Sequence, residues 1–365
     1  MPMMAGLGRT DSAVELGPLP NEPIATPCFV ISEDGVLHNL QRTAEACGGI
    51  DRLMPHVKTH RAPWIVELLI AQGVTAFKCA TPAEVEMCLA AGARNVTWAY
   101  PTANPVNIRR FIASGRDFPD AQLTGMIDSE RSLDVWQTEL DQAPGNIDLR
   151  VDLDPGLGRT GAPICEIAEK LARRVHHLGR LSGFHVYDGH IKGDRSARRE
   201  QVSALAEKAV ALRESMQREG IRTDMIAGGS YTFNLWPHDV ARFVSPGSWT
   251  FSSAQHDLEL SDLGWRPAAF VAATVISVHE GTATLDAGCK AISPDKPLGE
   301  RFRWNGRILL MNEEHVVVEA DDLSVGDQVF LMPQHACTTA YLYNEALVKT
   351  SDGNWVRHPQ LGNAR

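Results

Sequence analysis

The run Met54-Pro55-His56-Val57-Lys58-Thr59-His60 brings two histidines, a threonine and a lysine into seven residues. It closes the apolar stretch Leu53–Val57, which reads as a strand, and so puts Lys58 at a strand's C-terminal end. A lysine there can be desolvated, which lowers its pKa and frees the amine to form a Schiff base with a carbonyl. The plain alternative is a surface lysine that follows a strand. Two glycine sites suggest another task. Gly228-Gly229-Ser230 follows the run Met225–Ala227, and Pro246-Gly247-Ser248 follows Arg242–Val244. Glycine lets backbone N–H groups approach an anion, and the Ser230 and Ser248 hydroxyls add donors. Each alone is a pattern that any tight turn uses. A carbonyl-seeking lysine and two phosphate cradles together fit one phosphorylated aldehyde, pyridoxal 5'-phosphate.

A third constellation is Pro333-Gln334-His335-Ala336-Cys337. Read as extended backbone, it projects residues i and i+2 to one side. His335 and Cys337 would then grip one divalent ion and leave positions open for water or substrate. Imidazole plus thiolate favours zinc over magnesium or calcium. The alternative is a buried cysteine beside an incidental histidine. Elsewhere, His176-His177 reads as a solvated helix end, and Cys79 and Cys88 as core cysteines.

These residues need elements to carry them. From residue 26 to about 260, apolar runs such as Ala76–Cys79, Val96–Tyr100, Leu123–Ile127, Ile147–Leu153 and Gly183–Tyr187 alternate with stretches of helical spacing. In Ala62–Gln72, Trp64, Ile65, Leu68 and Leu69 fall at i, i+3 and i+4. Thr81 followed by Pro82 marks a helix start. About eight strand–helix repeats predict an α/β chain whose parallel sheet closes as a (β/α)8, TIM-like barrel. An open doubly wound sheet is the alternative. From about 265 to 350 the texture changes to strands with little helix between them: Phe270–Val278, Thr282–Asp286, Gly306–Leu310, His315–Ala320 and Gln328–Met332. That predicts a second, C-terminal antiparallel β-domain, which the early strand Cys28–Ile31 is placed to join. Thr350–Arg365 is polar, and its tip is expected to fray.

Charge and composition narrow the function classes. The chain has 35 Lys and Arg against 45 Asp and Glu, a net charge of −10. It therefore lacks the basic footprint that nucleic acid or an anionic membrane surface would need. No apolar run reaches the ~18 residues of a membrane span. With 44% hydrophobic and 22% charged residues, disorder is excluded. Seven scattered cysteines point to a reducing cytoplasm, and Met1–Leu19 has no apolar stretch of the kind a secretory signal carries.

The run Pro55–His60, paired at long range with Pro333 and His335-x-Cys337, resembles the fold-type III pyridoxal phosphate enzymes of the D-threonine aldolase and D-serine dehydratase group. These share an alanine racemase-like barrel, and the likeness runs from about Thr26 to Lys349. It implies a cofactor barrel over 26–260 and a β-domain over 265–350, with the strand near 26–31, carrying a zinc or manganese site. It implies Lys58 as the Schiff-base lysine, with His56, Gly228, Gly229, Ser230, Gly247 and Ser248 around the cofactor. Arg159, in Asp154-Pro155-Gly156-Leu157-Gly158-Arg159-Thr160-Gly161, matches a glycine-rich stretch whose arginine lies near the cofactor ring. Tyr187 would face the same ring, and His335 with Cys337 would hold the metal. The resemblance further implies a homodimer acting on a small D-3-hydroxy amino acid. Two outcomes stay open. His190 offers a base for retro-aldol cleavage to glycine and an aldehyde, whereas His335-x-Cys337 is the pattern of dehydratases that release a 2-oxo acid and ammonia. Met54 is a departure, because members often carry Arg there. An amino-acid racemase and a pyridoxal-binding homeostasis protein are the readings from other classes.

Overall fold

A computed structural model describes Leu16 and residues 24–365. Met1–Leu19, read above for a targeting signal, lies outside the described residues apart from Leu16. The chain divides into two compact units. One gathers Ala44–Lys58 and Pro63–Gly247, the other, among the described residues, Leu16, residues 24–43, Thr59–Ala62 and Ser248–Ala364.

The first unit is built on a parallel sheet. Its strands run in the order Phe77–Cys79, Asn95–Trp98, Gln122–Ile127, Ile147–Asp154, Leu181–Val186, Asp224–Ala227 and Phe243–Val244, each parallel to the next. The two ends of this path meet through one segment. Leu53 bridges Val244 and His56 bridges Lys78, both in parallel. Met54 N–H donates to Val244 O at 2.9 Å, and Lys78 N–H to Pro55 O at 2.9 Å. The sheet is a closed barrel, and the open doubly wound alternative is excluded.

The eighth position is thin, which corrects the expectation of a strand over Leu53–Val57. Pro55 has no N–H to give to a ladder, so only single bridges form on either side. The chain then tightens into a 3-10 turn over Val57–Thr59. Lys58 therefore sits in a turn rather than on a strand end. Strands covered on both faces are apolar, as Leu149, Val151 and Ile226 show. The ionisable exceptions include buried Lys78, Arg150, Asp152 and His185. Helices are capped as their sequences dictate: Thr81 Oγ1 accepts from Glu84 N–H ahead of the helix Pro82–Ala90, and Asp194 caps Arg195–Arg218.

The second unit is a nine-stranded sheet. Its main path is Ile308–Met311, Val316–Glu319, Thr282–Leu285, Ala269–His279, Cys28–Ser32, Glu345–Lys349 and Trp355–Pro359. Gln328–Pro333 pairs with both Ala269–His279 and Phe302–Arg303. The sheet is mixed rather than antiparallel. Cys28–Ser32 runs antiparallel to Ala269–His279 but parallel to Glu345–Lys349. Hairpin links force neighbours to alternate; a strand arriving from far along the chain is free of that constraint. Phe29, Val30 and Ile31 are fully buried there, with the Phe29 ring against Phe251 and Tyr343.

The polar stretch Thr350–Arg365, whose tip is expected to fray, contains the strand Trp355–Pro359, antiparallel to Glu345–Lys349. Backbone pairing needs no apolar alternation, so a hydrophobic pattern does not reveal it. The turn Ser351-Asp352-Gly353-Asn354, with Gly353 at φ 88°, was the available signal.

Candidate active site

Three cations surround one aromatic ring in the barrel unit. Arg159 Cζ lies 4.6 Å from the Tyr187 ring centroid, Lys78 Nζ 5.7 Å and Lys58 Nζ 5.8 Å. Tyr187 directly follows the strand Leu181–Val186, so the ring stands at a C-terminal strand end, where barrel enzymes keep their chemistry. Lys58, Arg159 and Tyr187, found separately in the sequence, are brought together.

Local structure explains how Arg159 gets there. Asp154 Oδ1 accepts from the N–H groups of Gly156 and Gly158 at 2.9 and 3.1 Å, folding the loop back on its strand. At Gly161, φ is 106° and a Cβ would lie 2.4 Å from Asp154 N. Only glycine lets the chain return so closely.

The two glycine loops adjoin. Ser245 Oγ donates to Gly228 O at 3.2 Å, and His56 N–H donates to Pro246 O at 3.1 Å. A Cβ on Gly229 would fall 2.9 Å from Tyr187 Cε2, so the second glycine seats its loop against the ring. Its own N–H is taken by Thr232 Oγ1 at 3.0 Å. Beneath it, fully buried Asp188 accepts from Thr232 Oγ1 at 2.6 Å and Trp236 Nε1 at 2.9 Å. Burial raises the Asp188 pKa against the pull of these donors. Gly247 is buried after Phe243–Val244, Ser230 is half-buried, and Ser248 opens a 3-10 turn over Ser248–Thr250.

His56 is buried, and its Nδ1 accepts the Lys58 backbone N–H at 3.4 Å. Burial, then the charges of Lys58 and Lys78, hold it well below the usual histidine range. It is a neutral imidazole. Met54 packs in an apolar cluster with Ala76, Ile226 and Phe243. His190 lies exposed in the turn after Tyr187 and Asp188.

A buried polar chain completes this part of the site, and sequence reasoning missed it. Lys78 Nζ donates to Ser245 Oγ at 2.7 Å and lies 3.0 Å from His185 Nε2. His185 Nδ1 is 2.7 Å from Asp152 Oδ1, whose Oδ2 accepts from Thr160 Oγ1 at 2.9 Å. Burial, then the positive charge of Lys58, pushes Lys78 down to about 7, against the opposing Asp152 and Asp188. Burial, then Lys78, pushes His185 down to about 4 despite its bond to Asp152. Lys58 itself is exposed; the desolvated lysine is Lys78. The signal for it was a lone charge in the apolar run Ala76–Cys79.

In the second unit His335 lies two residues beyond the strand Gln328–Pro333 and directly precedes the short helix Ala336–Ala340. The segment is therefore not extended through Cys337, as expected above. Thr338 and Thr339 hydroxyls both donate to His335 O, at 3.2 and 3.1 Å, and bend the chain into a turn. The pair still meets. Burial opposes a charge on His335, but its contact with Cys337 and then the bond to Asp295 outweigh it and push the imidazole up to about 9. His335 Nδ1 lies 2.5 Å from Asp295 Oδ2, and Cys337 Sγ 3.4 Å from Thr59 Oγ1. Asp295, unforeseen in the sequence, occupies Nδ1 and so leaves Nε2 to a metal, the carboxylate–histidine arrangement common at metal sites. Among the described residues no group of three His, Cys, Asp or Glu is arranged to hold an ion. His335 and Cys337 fit zinc by donor chemistry, with water or substrate making up the coordination. The barrel site fits pyridoxal phosphate: a reachable amine, an aromatic face, and glycine where a Cβ would strike that face.

Residues 31–254 match the family model described as the alanine racemase N-terminal domain, more than half of the chain. The chain belongs to this fold-type III pyridoxal phosphate family. Residues 268–349 of this fold-type III chain match a second model, a putative serine dehydratase domain. It is 26% identical over 355 residues to a D-threonine aldolase of Arthrobacter sp, covering 92% of both chains. It is 24% identical over 370 residues to a D-threo-3-hydroxyaspartate dehydratase of Delftia sp. (strain HT23), covering 90% of this chain and 95% of that one. The solved D-threonine aldolase from Filomicrobium marinum is similar in fold, with a TM-score of 0.83 at 22% identity over 92% of this chain and 95% of that chain. Among the described residues no helix is long and apolar enough to cross a membrane.

Proposed function

We propose that the protein is a pyridoxal phosphate- and metal-dependent lyase that cleaves D-3-hydroxy amino acids to glycine and an aldehyde, as a D-threonine aldolase does. The observation that carries this reading is the gathering of Lys58, Arg159 and Gly229 on the Tyr187 ring. Lys58 Nζ holds the cofactor, with His56 beneath it as a neutral hydrogen-bond acceptor. Tyr187 covers the cofactor ring and shields it from water. Gly228, Gly229, Ser230, Gly247 and Ser248 admit the phosphate, and Arg159 orients an anionic oxygen. When bound, pyridoxal phosphate supplies an electron sink for charge developing at Cα, and a zinc or manganese ion on His335 and Cys337 supplies Lewis acidity toward the 3-hydroxyl. His190 accepts the proton of that hydroxyl.

A second reading has its own support. The match of residues 268–349 to a putative serine dehydratase domain favours dehydration. There Lys58 Nζ takes the Cα proton and the hydroxyl leaves as water; the enamino acid set free tautomerises to an imine, which water hydrolyses to a 2-oxo acid and ammonia. Product analysis on D-threonine and D-serine, with cofactor and zinc or manganese present, separates the two. Glycine and acetaldehyde from D-threonine are expected. 2-Oxobutanoate or pyruvate with ammonia would make the protein a dehydratase, and no product from either substrate would overturn both. We place the protein in solution as a homodimer. Seven cysteines, none of them in a disulfide, support a reducing compartment such as the cytoplasm.

A further inference from the structure

Lys78 is 2% exposed, and an ammonium group carries three N–H donors. One reaches Ser245 Oγ at 2.7 Å and a second His185 Nε2 at 3.0 Å. Neither partner is an anion. The carboxylate in this chain, Asp152, stands one imidazole away, on His185 Nδ1. Among the described residues no carboxylate pairs directly with Lys78, and its third N–H has only the Tyr187 ring, 5.7 Å from Nζ. Burying a cation without a counter-ion is costly, and a lysine kept only for the fold would be expected against a carboxylate.

The surroundings deepen the deficit of negative charge. Lys58 and Arg159 approach the same ring, and Ser245 ties Lys78 to the Gly228 loop. Of the titratable and charged groups that act on Lys78 — His56, Lys58, Asp152, Arg159, His185 and Asp188 — two are carboxylates. Each is already committed, Asp152 to His185 and Thr160, Asp188 to Thr232 and Trp236.

We propose that Lys78 is a ligand-binding residue that donates its third N–H to an anionic oxygen of the molecule bound at Tyr187. Asp152 and His185 are its positioning residues: the carboxylate holds the proton on Nδ1, so Nε2 accepts from Lys78 and aims the ammonium. The inference rests on the barrel site's being a pyridoxal phosphate site. The oxygen belongs either to the cofactor or to the substrate's carboxylate.

The probe is 4-deoxypyridoxine 5'-phosphate, which lacks the aldehyde and cannot condense with Lys58, titrated into the full chain freed of cofactor. Binding to the unaltered protein is expected, and its absence would sink the pyridoxal reading itself. Lys78→Met should weaken the probe ~10–100-fold, the scale of a hydrogen bond to a charged group. Lys78→Arg should keep most of the affinity. Because Lys78 is held near 7 without ligand, affinity of the unaltered protein relative to Lys78→Arg should fall as pH rises from 6 to 9. A probe lacking the ring 3-hydroxyl tells the cofactor oxygens apart: a loss that disappears assigns the ring oxygen, and one that persists assigns the phosphate. If the probe is unaffected by Lys78→Met but D-threonine binds the loaded protein more weakly, the oxygen is the substrate's. If neither ligand is weakened, with circular dichroism unchanged, Lys78 is structural and the proposal fails. Should Lys78→Met not fold, a ratio to Lys78→Arg that stays flat with pH overturns it equally.

Discussion

Two histidine–carboxylate pairs in this molecule have nearly the same separation, but their histidines are shifted in opposite directions. His185 lies 2.7 Å from Asp152, and His335 2.5 Å from Asp295. Yet His185 is pushed down to about 4 and His335 up to about 9. The first pair is 3% and 6% exposed at its side chains, the second 29% and 34%. The other neighbour differs as well. A cation, Lys78, faces the far nitrogen of His185, whereas Cys337 contacts His335. A carboxylate partner can fix which nitrogen carries the proton without deciding whether the ring is charged. Desolvation and the second neighbour decide that.

The sharpest break of this comparison removes the metal-side groups. His335→Ala and Cys337→Ala should each weaken zinc binding by more than ~100-fold, since even losses around the ligands cost ~10–100-fold. Pyridoxal phosphate absorption should survive in both variants. Equilibrium dialysis with zinc, followed by a visible spectrum, checks both halves, and unchanged zinc affinity would remove the metal from the proposed reaction.

On the barrel side, Lys78→Met takes away the charge that depresses His185. NMR titration should show the His185 pKa moving back toward the ordinary range, and a value still near 4 would leave burial and the charge of Arg150 as its causes. The same variant should be more stable than the parent at pH 6, by a margin that shrinks toward pH 10.5. The sign follows from a folded pKa near 7 against an unfolded value near ~10.4: the buried charge costs stability below 7 and nothing once both states are neutral.

The buried histidines give a smaller effect. His185 is held near 4 and His60 near 3, each first by burial, and His56 well below its usual value. The unfolded chain, with histidine pKa values near ~6.5, takes up protons first. Urea midpoints should therefore decline as pH falls from about 6.5 toward 4. His60→Gln should soften the decline, and an equal slope in that variant would acquit His60. The smallest change should come from Gln334→Ala beside the metal pair, with zinc affinity altered less than about twofold, within the usual range for substitutions away from such features.

Much of the barrel was legible because strands covered on both faces must be apolar, and their alternation with helical spacing survives in one sequence. Lys58 could be picked out by its place after the apolar run Leu53–Val57, whereas Arg159 and Tyr187 were reached through the family resemblance. Lys78 could not be judged the same way. In a three-residue strand a lysine reads as solvent-facing until closure of the ring buries both sides. Asp295 lies forty residues from His335 in a stretch with no periodicity. Pro55 in Leu53–Val57 signals a broken ladder, and Thr338 and Thr339 signal a bent backbone after His335.

The strand Cys28–Ser32 sits between Ala269–His279 and Glu345–Lys349, and this placement has a cost in time. A ribosome makes the central strand first and its neighbours roughly 240 and 315 residues later. At ~5–20 residues per second, its first partner strand emerges only after on the order of 10–50 s. For that interval Phe29, Val30 and Ile31, fully buried in the finished protein, have neither hydrogen-bonding neighbour available. The barrel can be complete while this strand still waits, so the nascent chain passes through a stage in which a short, sticky β-segment must be kept from other chains.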